Sequence, residues 1–420
     1  MNRRSFIGHS AATLAALGVP LGTARAAVGS ADRKLIVVFV QGGWDPTRVF
    51  ADGFDHTGVS MEADSERSNA SGIDFIAHPD RPGVSAFMQA QADRMVVFNG
   101  VMVRSIAHEI CTTIAMTGDT SGLLSDWPAI IGQAQADRFT LPHLVVGGPN
   151  FAGDIGAAVA RAGNNGQLEG LLSGEILEAA DGASRVLPMP ARGIIDRYLA
   201  RRSEARILTA TPGMDENLAS AFHEALRRAT ELQDYRYVMD FTATSDLATQ
   251  AQVGVDALAL GLSRCVTMGH SGGGLNGWDT HSQNDDQQGP LWENLFAGLN
   301  QLMALLQDTP GTTASSLAEE TTVVVMSEMG RTPALNSNLG KDHWPFTSVM
   351  VVGEGLTGGR TVGGFDDGWM GNAVDFDSGE SSPSGRLLSV EAIGATLLQH
   401  MGIDSAEHVT GTPAITGVFL

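Results

Sequence analysis

Charged and imidazole side chains follow directly on an apolar, β-branched run in the second half of the chain. Residues 321–327, TTVVVMS, are typical of a strand buried on both faces, and Glu328, Arg331, Asp342 and His343 come after it. In open parallel sheets, ligands bind beyond the carboxyl ends of the strands, where these side chains are expected to lie. They suit a site that holds a cation together with an anionic substrate, and the alternative is a solvated loop with a salt bridge.

Two further strand ends carry carboxylates. Asp45 follows the apolar run 34–41, and Asp279 and His281 follow the run 264–270. Residues i and i+2 of an extended segment point the same way, so Asp279 and His281 are able to grip one ion. Carboxylates gathered at one sheet edge need a counter-charge. The sequence therefore predicts one or two divalent cations, and its oxygen and imidazole ligands suit zinc, manganese, magnesium or calcium.

A candidate anion contact precedes a predicted helix. The run 95–101 is typical of a strand, and Ser105 and His108 follow it at the start of a helical pattern that ends near Gly118. The amino terminus of a helix offers unpaired N–H groups and the positive end of the helix dipole, so both side chains are expected to face a bound anion. For Ser105 the alternative is a plain N-cap.

Ser271 is a second candidate nucleophile. Residues 269–273, GHSGG, match the G-x-S-x-G nucleophile elbow of α/β-hydrolases. The elbow requires a helix directly after the serine, whereas five of the next six residues are glycine or asparagine. A serine hydrolase that uses Ser271 is therefore the less favoured hypothesis.

The elements that must position these residues alternate between strand and helix along the chain. Besides the runs already named, strands are predicted at 141–148, 346–353 and 359–364, and helices at 249–262 and 388–401. Between residues 154 and 254 there is little β character and apolar residues recur at helical spacing. The sequence thus predicts an α/β protein with a mainly helical cap or insertion at 154–254.

Residues 1–26 are predicted to be a twin-arginine signal peptide. Arg3 and Arg4 precede a short apolar run, and residues 24–26, ARA, have the small-x-small form of a site cleaved after Ala26. The apolar run is too short to span a bilayer. We therefore expect export of the folded protein by the twin-arginine machinery, a periplasmic location and no stable membrane insertion.

Charge and cysteine content argue against several classes of protein. Removing Arg3, Arg4 and Arg25 takes the formal charge from −21 to −24, and a field of this sign repels nucleic acid and anionic membranes. Cys111 and Cys265 are the only cysteines, so no disulfide framework or cysteine-based zinc site holds the fold together. The two thiols either form one bridge or stay free.

Four motifs carry a resemblance to a known family. They are GGWD at 42–45, WDTH at 278–281, SEMGRTP at 327–333 and NLGKDHWP at 338–345. In this order they resemble the family called domain of unknown function 1501, which is similar to the alkaline phosphatase and sulfatase superfamily. The resemblance covers nearly all of residues 27–420. It implies a three-layer α/β sandwich with a mostly parallel sheet and a metal site at the strand ends.

The resemblance also implies a division of the metal ligands. Asp45 and Glu328 would lie on the metal of the nucleophile side. On or near the other metal would lie Asp279, His281, Asp342 and His343.

Two departures from the superfamily narrow the implied activity. His108 stands where phosphatases keep a serine or threonine nucleophile, and Ser105 lies three residues earlier. Cys111 lacks the C/S-x-P-x-R context of formylglycine sulfatases. What remains is metal-assisted hydrolysis or transfer at a phosphate or related ester, with activated water or Ser105 as attacker and Arg331 and His108 on the developing anion.

The substrate expected on these grounds is a small anionic ester or an envelope glycan. The alternative function is a catalytically silent, metal-containing protein of the envelope with a binding or assembly role.

Overall fold

The computed structural model of the protein describes residues 28–162, 168, 189–235, 238–241, 245–272 and 277–420. The proposed signal peptide, 1–26, and its cleavage point lie outside the described residues. Within the part of the chain that is described, no helix is both long enough and apolar enough to cross a membrane.

The secondary structure alternates strands and helices over the described residues. The strands are β1 (Lys34–Val40), β2 (Glu66–Ala70), β3 (Ile73–Ala77), β4 (Met95–Met102), β5 (His143–Val145), β6 (Val159–Arg161), β7 (Cys265–His270), β8 (Thr321–Ser327), β9 (Gly330–Arg331), β10 (His343–Trp344), β11 (Phe346–Val352), β12 (Arg360–Gly363), β13 (Ala373–Val374) and β14 (Arg386–Leu387). The α-helices are α1 (Pro82–Gln91), α2 (His108–Thr117), α3 (Trp127–Gln133), α4 (Met189–Thr209), α5 (Met214–Leu232), α6 (Leu247–Ala259), α7 (Asn284–Asp308) and α8 (Val390–His400).

Eight strands form one central sheet in the order β12-β4-β11-β8-β1-β7-β5-β6. β1 lies near the middle, all seven of its residues are buried, and it runs parallel to β7 and β8. Only β11 is antiparallel to its neighbours in this sheet, β4 and β8. The prediction of an α/β fold with a mostly parallel sheet is confirmed, and β12 lies at the edge as expected.

Helices cover both faces of the sheet, because successive side chains of a strand point to opposite sides. Ile36, Val38 and Val40 of β1 belong to the core that includes buried residues of α1, α6 and α7. Leu35 and Phe39 belong to the opposite core, which includes buried residues of α2, α3 and α8. The result is three layers.

Cys111 and Cys265 are both buried free thiols.

The range 154–254 contains α4, α5 and the start of α6. It also contains β6, which pairs with β5 and extends the central sheet, although little β structure was predicted there. α6 packs on β7 and α7 and so belongs to a layer of the core.

Several elements were not predicted, and two of them bear on the core and the site. The polar region expected to be a loop up to Ser71 contains β2, which forms a hairpin with β3. Ser71 and Gly72 make its turn, both with positive φ (47° and 94°), as two-residue hairpins with matching twist require. The second is α7, 25 residues long with Pro290 inside it.

Candidate metal centre

The carboxyl ends of several strands meet at one edge of the sheet. Val40 of β1 pairs with His270 of β7 and with Ser327 of β8, so these strands end at the same level. β4 runs in the same direction as β8, because β11 is antiparallel to both. The segments that follow these four strands therefore begin side by side.

Four of the predicted site residues come together beyond this edge. His108 is the first residue of α2, Asp279 and His281 follow β7, and His343 begins β10. Nε2 of His281 and Nε2 of His343 each lie 3.1 Å from Oδ1 of Asp279 and 3.0 Å from each other. Nε2 of His108 lies 3.4 Å from Oδ2 of Asp279. The imidazole nitrogens of all three rings thus face the carboxylate of Asp279, and His108, Asp279 and His343 offer ligand atoms that lie within 4.8 Å of one another.

The second nitrogen of each of the three rings is bonded to an oxygen that only accepts hydrogen bonds. The contacts are Nδ1 of His108 to Oε1 of Glu328 at 2.9 Å, Nδ1 of His281 to Oδ1 of Asp342 at 2.8 Å, and Nδ1 of His343 to the carbonyl oxygen of Ile106 at 2.7 Å. Carbonyl and carboxylate oxygens need a donor, so Nδ1 carries the proton of each neutral ring. Nε2 of every ring is then unprotonated and carries a lone pair that can bind a cation.

This arrangement fits a divalent cation. The lone pairs of His281 and His343 face each other at 3.0 Å, a contact that needs a proton or a cation between the two nitrogens. Tetrahedral zinc with nitrogen and oxygen ligands at its usual bond lengths spaces the ligand atoms about 3.3 Å apart. The separations of 3.0 to 3.1 Å among Asp279, His281 and His343, and of 3.4 Å between His108 and Asp279, are close to this spacing.

Arg331 holds the carboxylate of Asp279 in place. Its buried guanidinium donates to Oδ1 of Asp279 at 2.7 Å, to the carbonyls of Gly43 at 2.8 Å and Lys341 at 3.1 Å, and to the carbonyl of Gly42. These contacts leave one of its five N–H groups for any other partner. Burial raises the pKa of Asp279, but Arg331 and the nearby imidazoles outweigh it and lower the pKa to about 2. Asp279 is therefore an anion at neutral pH.

Glu328 lies behind the ring of His108, on the side away from the convergent nitrogens. Its completely buried carboxylate also accepts from the backbone N–H of Gly42 at 2.7 Å and from the hydroxyl of Ser327 at 3.0 Å. The hydrogen bond that His108 donates to Glu328 raises the pKa of His108, against the opposing effect of burial. This is the position of a carboxylate that orients an imidazole ligand.

Asp45 has a different set of partners. Its carboxylate is completely buried and lies 2.8 Å from Nζ of Lys341 and 3.3 Å from Nε of Arg48. It also accepts from the N–H of Thr47 at 3.1 Å, the hydroxyl of Thr47 at 2.7 Å and the amide of Asn284 at 3.0 Å. Burial raises the pKa of Asp45, but Lys341 and Arg48 lower it to about 2. The lone pairs of this carboxylate are already taken by protein donors.

Ser105 and Asp342 were also predicted to belong to the site. Oγ of Ser105 accepts from the N–H of Ala107 at 3.3 Å, just before α2. Asp342 is more than half exposed, and its hydrogen bond with His281 lowers its pKa. Asp342 thus contacts the cluster through the ring of His281.

Ser271 has no catalytic partner among the described residues. The neighbouring His270 is buried, with Nε2 2.9 Å from Oδ1 of Asn294 and Nδ1 accepting from Trp278 at 3.0 Å. Residues 277–283 are not helical, and α7 begins at Asn284. Residues 273–276 of the GHSGG region lie outside the described part of the chain.

Sequence reasoning missed Lys341 and the carbonyl of Ile106. A carbonyl cannot be identified as a partner of a distant imidazole from residue type. Lys341 carried one signal, because it stands between Gly340 and the Asp-His pair of the NLGKDHWP motif. Nothing in the motif indicates that its ammonium group is completely buried beside Asp45.

Comparisons with known proteins place the chain in a wider context. The family model described as "Protein of unknown function (DUF1501)" matches residues 32–414. No curated protein matches the chain.

Several solved structures are similar to the chain at low identity. The lipoteichoic acid synthase LtaP from Listeria monocytogenes is 8% identical, with 96% of this chain and 80% of that chain covered and a TM-score of 0.43. The phosphonate monoester hydrolase SpPMH from Silicibacter pomeroyi is 11% identical, with 92% and 77% covered and a TM-score of 0.40. A protein in the alkaline phosphatase superfamily from Vibrio parahaemolyticus is 10% identical, with 89% and 67% covered and a TM-score of 0.38. These similarities are too low to assign an activity.

Proposed function

The chain belongs to the DUF1501 family, and from that premise we propose that it is a metal-dependent hydrolase or transferase acting on a phosphate or related ester. One observation carries the proposal. The Nε2 atoms of His108, His281 and His343 each lie 3.1 to 3.4 Å from a carboxylate oxygen of Asp279, and each Nδ1 is hydrogen-bonded to an acceptor. Such a set binds a cation, and its nitrogen and oxygen donors favour zinc.

The residues of the site have separate tasks in this proposal. His108, His281, His343 and Asp279 hold the ion, which when bound polarises an ester oxygen and lowers the pKa of a water molecule. Arg331 keeps Asp279 in place. The ion also offsets the acidic charge of the chain where an anionic substrate must approach.

The start of α2 supplies the contact for the substrate anion. The first N–H groups of a helix have no partner within it, and those of α2 begin at His108, a proposed ligand. Ser105 lies three residues before His108 and is the protein's attacking group in the proposal, with a water molecule as the alternative.

We infer a periplasmic location from the sequence. The Arg3-Arg4 pair, the apolar run and the cleavage pattern before Ala27 support export in the folded state to the periplasm. Amino-terminal sequencing of the protein from a periplasmic extract should give Ala27 as its first residue. A mature chain that starts at Met1 contradicts this part of the proposal.

Metal analysis followed by an ester screen tests the activity. The purified protein should contain stoichiometric metal and turn over at least one phosphomonoester, phosphodiester or sulfate ester. Asp279→Ala should lose both the metal and turnover, because it removes the anionic ligand. Asp367→Ala, which changes a fully exposed aspartate, should keep both. Full turnover by metal-free protein rejects the proposal.

Two other outcomes point to the other functions. Stoichiometric metal without turnover on any ester favours a catalytically silent envelope protein, a possibility that the absence of a serine or threonine at position 108 supports. Labelling by a fluorophosphonate probe that disappears in Ser271→Ala favours a serine hydrolase.

A further inference from the structure

The segment from Gly340 to His343 holds one side of the cluster, and a buried lysine anchors it. Asp342 and His343 both contact His281, through Nδ1 and Nε2 of its ring. A Cβ on Gly340 would lie 2.0 Å from the carbonyl of His281, so the two main chains are in close contact. The placement of His281 and His343 therefore depends on where this segment lies.

The backbone N–H, the carbonyl and the ammonium group of Lys341 all make hydrogen bonds within the protein. Its N–H donates to the carbonyl of Thr280 at 3.0 Å, and its carbonyl accepts from Arg331 at 3.1 Å. Its Nζ lies 2.8 Å from Asp45 and donates to the hydroxyl of Thr47 at 3.1 Å. The side chains of Lys341 and Asp45 are both completely buried.

Asp45 is itself fixed on the body of the protein. It follows β1 by five residues, and its backbone N–H donates to Oε1 of Gln288 in α7 at 2.7 Å. Because protein donors already occupy its carboxylate, as described above, it does not need a metal to balance its charge. The Asp45–Lys341 pair thus connects the end of β1 to the segment that carries His343.

We propose that Lys341 and Asp45 are positioning residues, whose buried ion pair sets the spacing of His281 and His343 for the metal ion. This inference rests on the proposed function and replaces the ligand role expected for Asp45. Because the pair acts through the main chain on either side of Lys341, losing it shifts two ligands at once. Outer-shell partners of metal ligands typically change metal affinity by about 10 to 100-fold.

The test compares two buried lysines. Lys341→Met removes the ion pair beside the cluster. Lys34→Met removes another buried pair, Lys34–Glu320, at the opposite end of β1. Zinc affinity is measured by competition with a chromogenic chelator, the ligand geometry by the visible spectrum of the cobalt-substituted protein, and the fold by urea unfolding.

Lys341→Met should bind zinc about 10 to 100-fold more weakly and show an altered cobalt spectrum. Lys34→Met should lose a similar amount of stability but keep the wild-type zinc affinity and cobalt spectrum. The double variant Asp45→Asn with Lys341→Met removes both charges, so it should recover stability while its zinc binding stays weak. Recovered stability together with weak zinc binding would separate an effect on ligand position from an effect on folding. The double variant therefore tests the inference even if Lys341→Met alone does not fold.

The positioning role is wrong, while the proposed function stands, if the wild type binds zinc and the double variant binds it equally well with an unchanged cobalt spectrum. It also fails if Lys34→Met weakens zinc binding as much as Lys341→Met does. A wild-type protein that binds neither zinc nor cobalt overturns the proposed function and this inference together.

Discussion

Exchanging Glu328 for glutamine is expected to weaken zinc binding by about 10 to 100-fold, or about 1.4 to 2.7 kcal/mol. The carboxylate is completely buried and accepts from His108 at 2.9 Å, Gly42 at 2.7 Å and Ser327 at 3.0 Å. Glutamine has the same shape, and its one oxygen takes the place of Oε1, which accepts from both Gly42 and His108. The ring of His108 keeps an acceptor but loses the negative charge that makes Nε2 a stronger ligand.

The matched control lies at the other end of β8. Glu320 immediately precedes this strand, is also buried, and forms an ion pair with Lys34. Glu320→Gln leaves the ammonium group of Lys34 buried without its counter-ion, which costs about 3 to 5 kcal/mol of stability. Zinc affinity should stay at the wild-type value in this variant. The two exchanges are chemically identical, so only position distinguishes their effects.

Chelator competition at neutral pH measures the zinc affinity, and urea unfolding measures the stability of the metal-free chains. If folded Glu328→Gln binds zinc as tightly as the wild type, the carboxylate does not orient His108 and the reasoning is wrong. A complete loss of zinc from a stably folded Glu328→Gln would instead make Glu328 a direct ligand, as the sequence alone suggested.

Three further predictions concern protons and buried cations. Zinc affinity should fall as the pH is lowered, because an imidazole must be neutral to bind and Glu328 raises the pKa of His108, so protons compete with the metal; calorimetric titration across a pH series measures this. Burial lowers the pKa of His400 to about 3, so the unfolded chain takes up a proton below about pH 6.5 that the folded chain excludes. Stability present above that pH should therefore fall by about 1.4 kcal/mol per pH unit on acidification, and His400→Gln should remove this part of the slope in urea unfolding. Arg264 is buried and donates to four backbone carbonyls, so Arg264→Met should cost about 3 kcal/mol or more in the same assay, while the exposed Arg386→Met should leave stability unchanged.

The central strands were predictable because their residues are apolar on both faces. β1 and β8 are each buried over seven residues, so an unbroken β-branched run marks them without any help from periodicity. β2, ERSNA, is exposed or half-buried at four of its five positions and shows no such run. The start of α7 is rich in Asn, Asp, Gln and Gly with Pro290 nearby, which local propensity does not favour as helix.

The site was predictable as a set of strand ends but not as a set of roles. Asp45, Asp279 and Glu328 all follow core strands, so sequence position alone predicts each of them equally as a metal ligand. Their roles differ because of partners hundreds of residues away, such as Lys341 for Asp45 and His108 for Glu328. Which side of an imidazole ring a carboxylate meets is a matter of tertiary structure alone.

The buried ion pairs at the two ends of β1 have a consequence for how this strand pairs. A slip of two residues against β8 would keep its side chains on the correct faces but displace Lys34 from Glu320 by about 6.6 Å. The same slip would pull Asp45 away from Lys341. Each slipped register therefore leaves buried charges without a partner at both ends of β1. Only one register pairs all of these charges, and that register sets the height of the metal centre above the sheet.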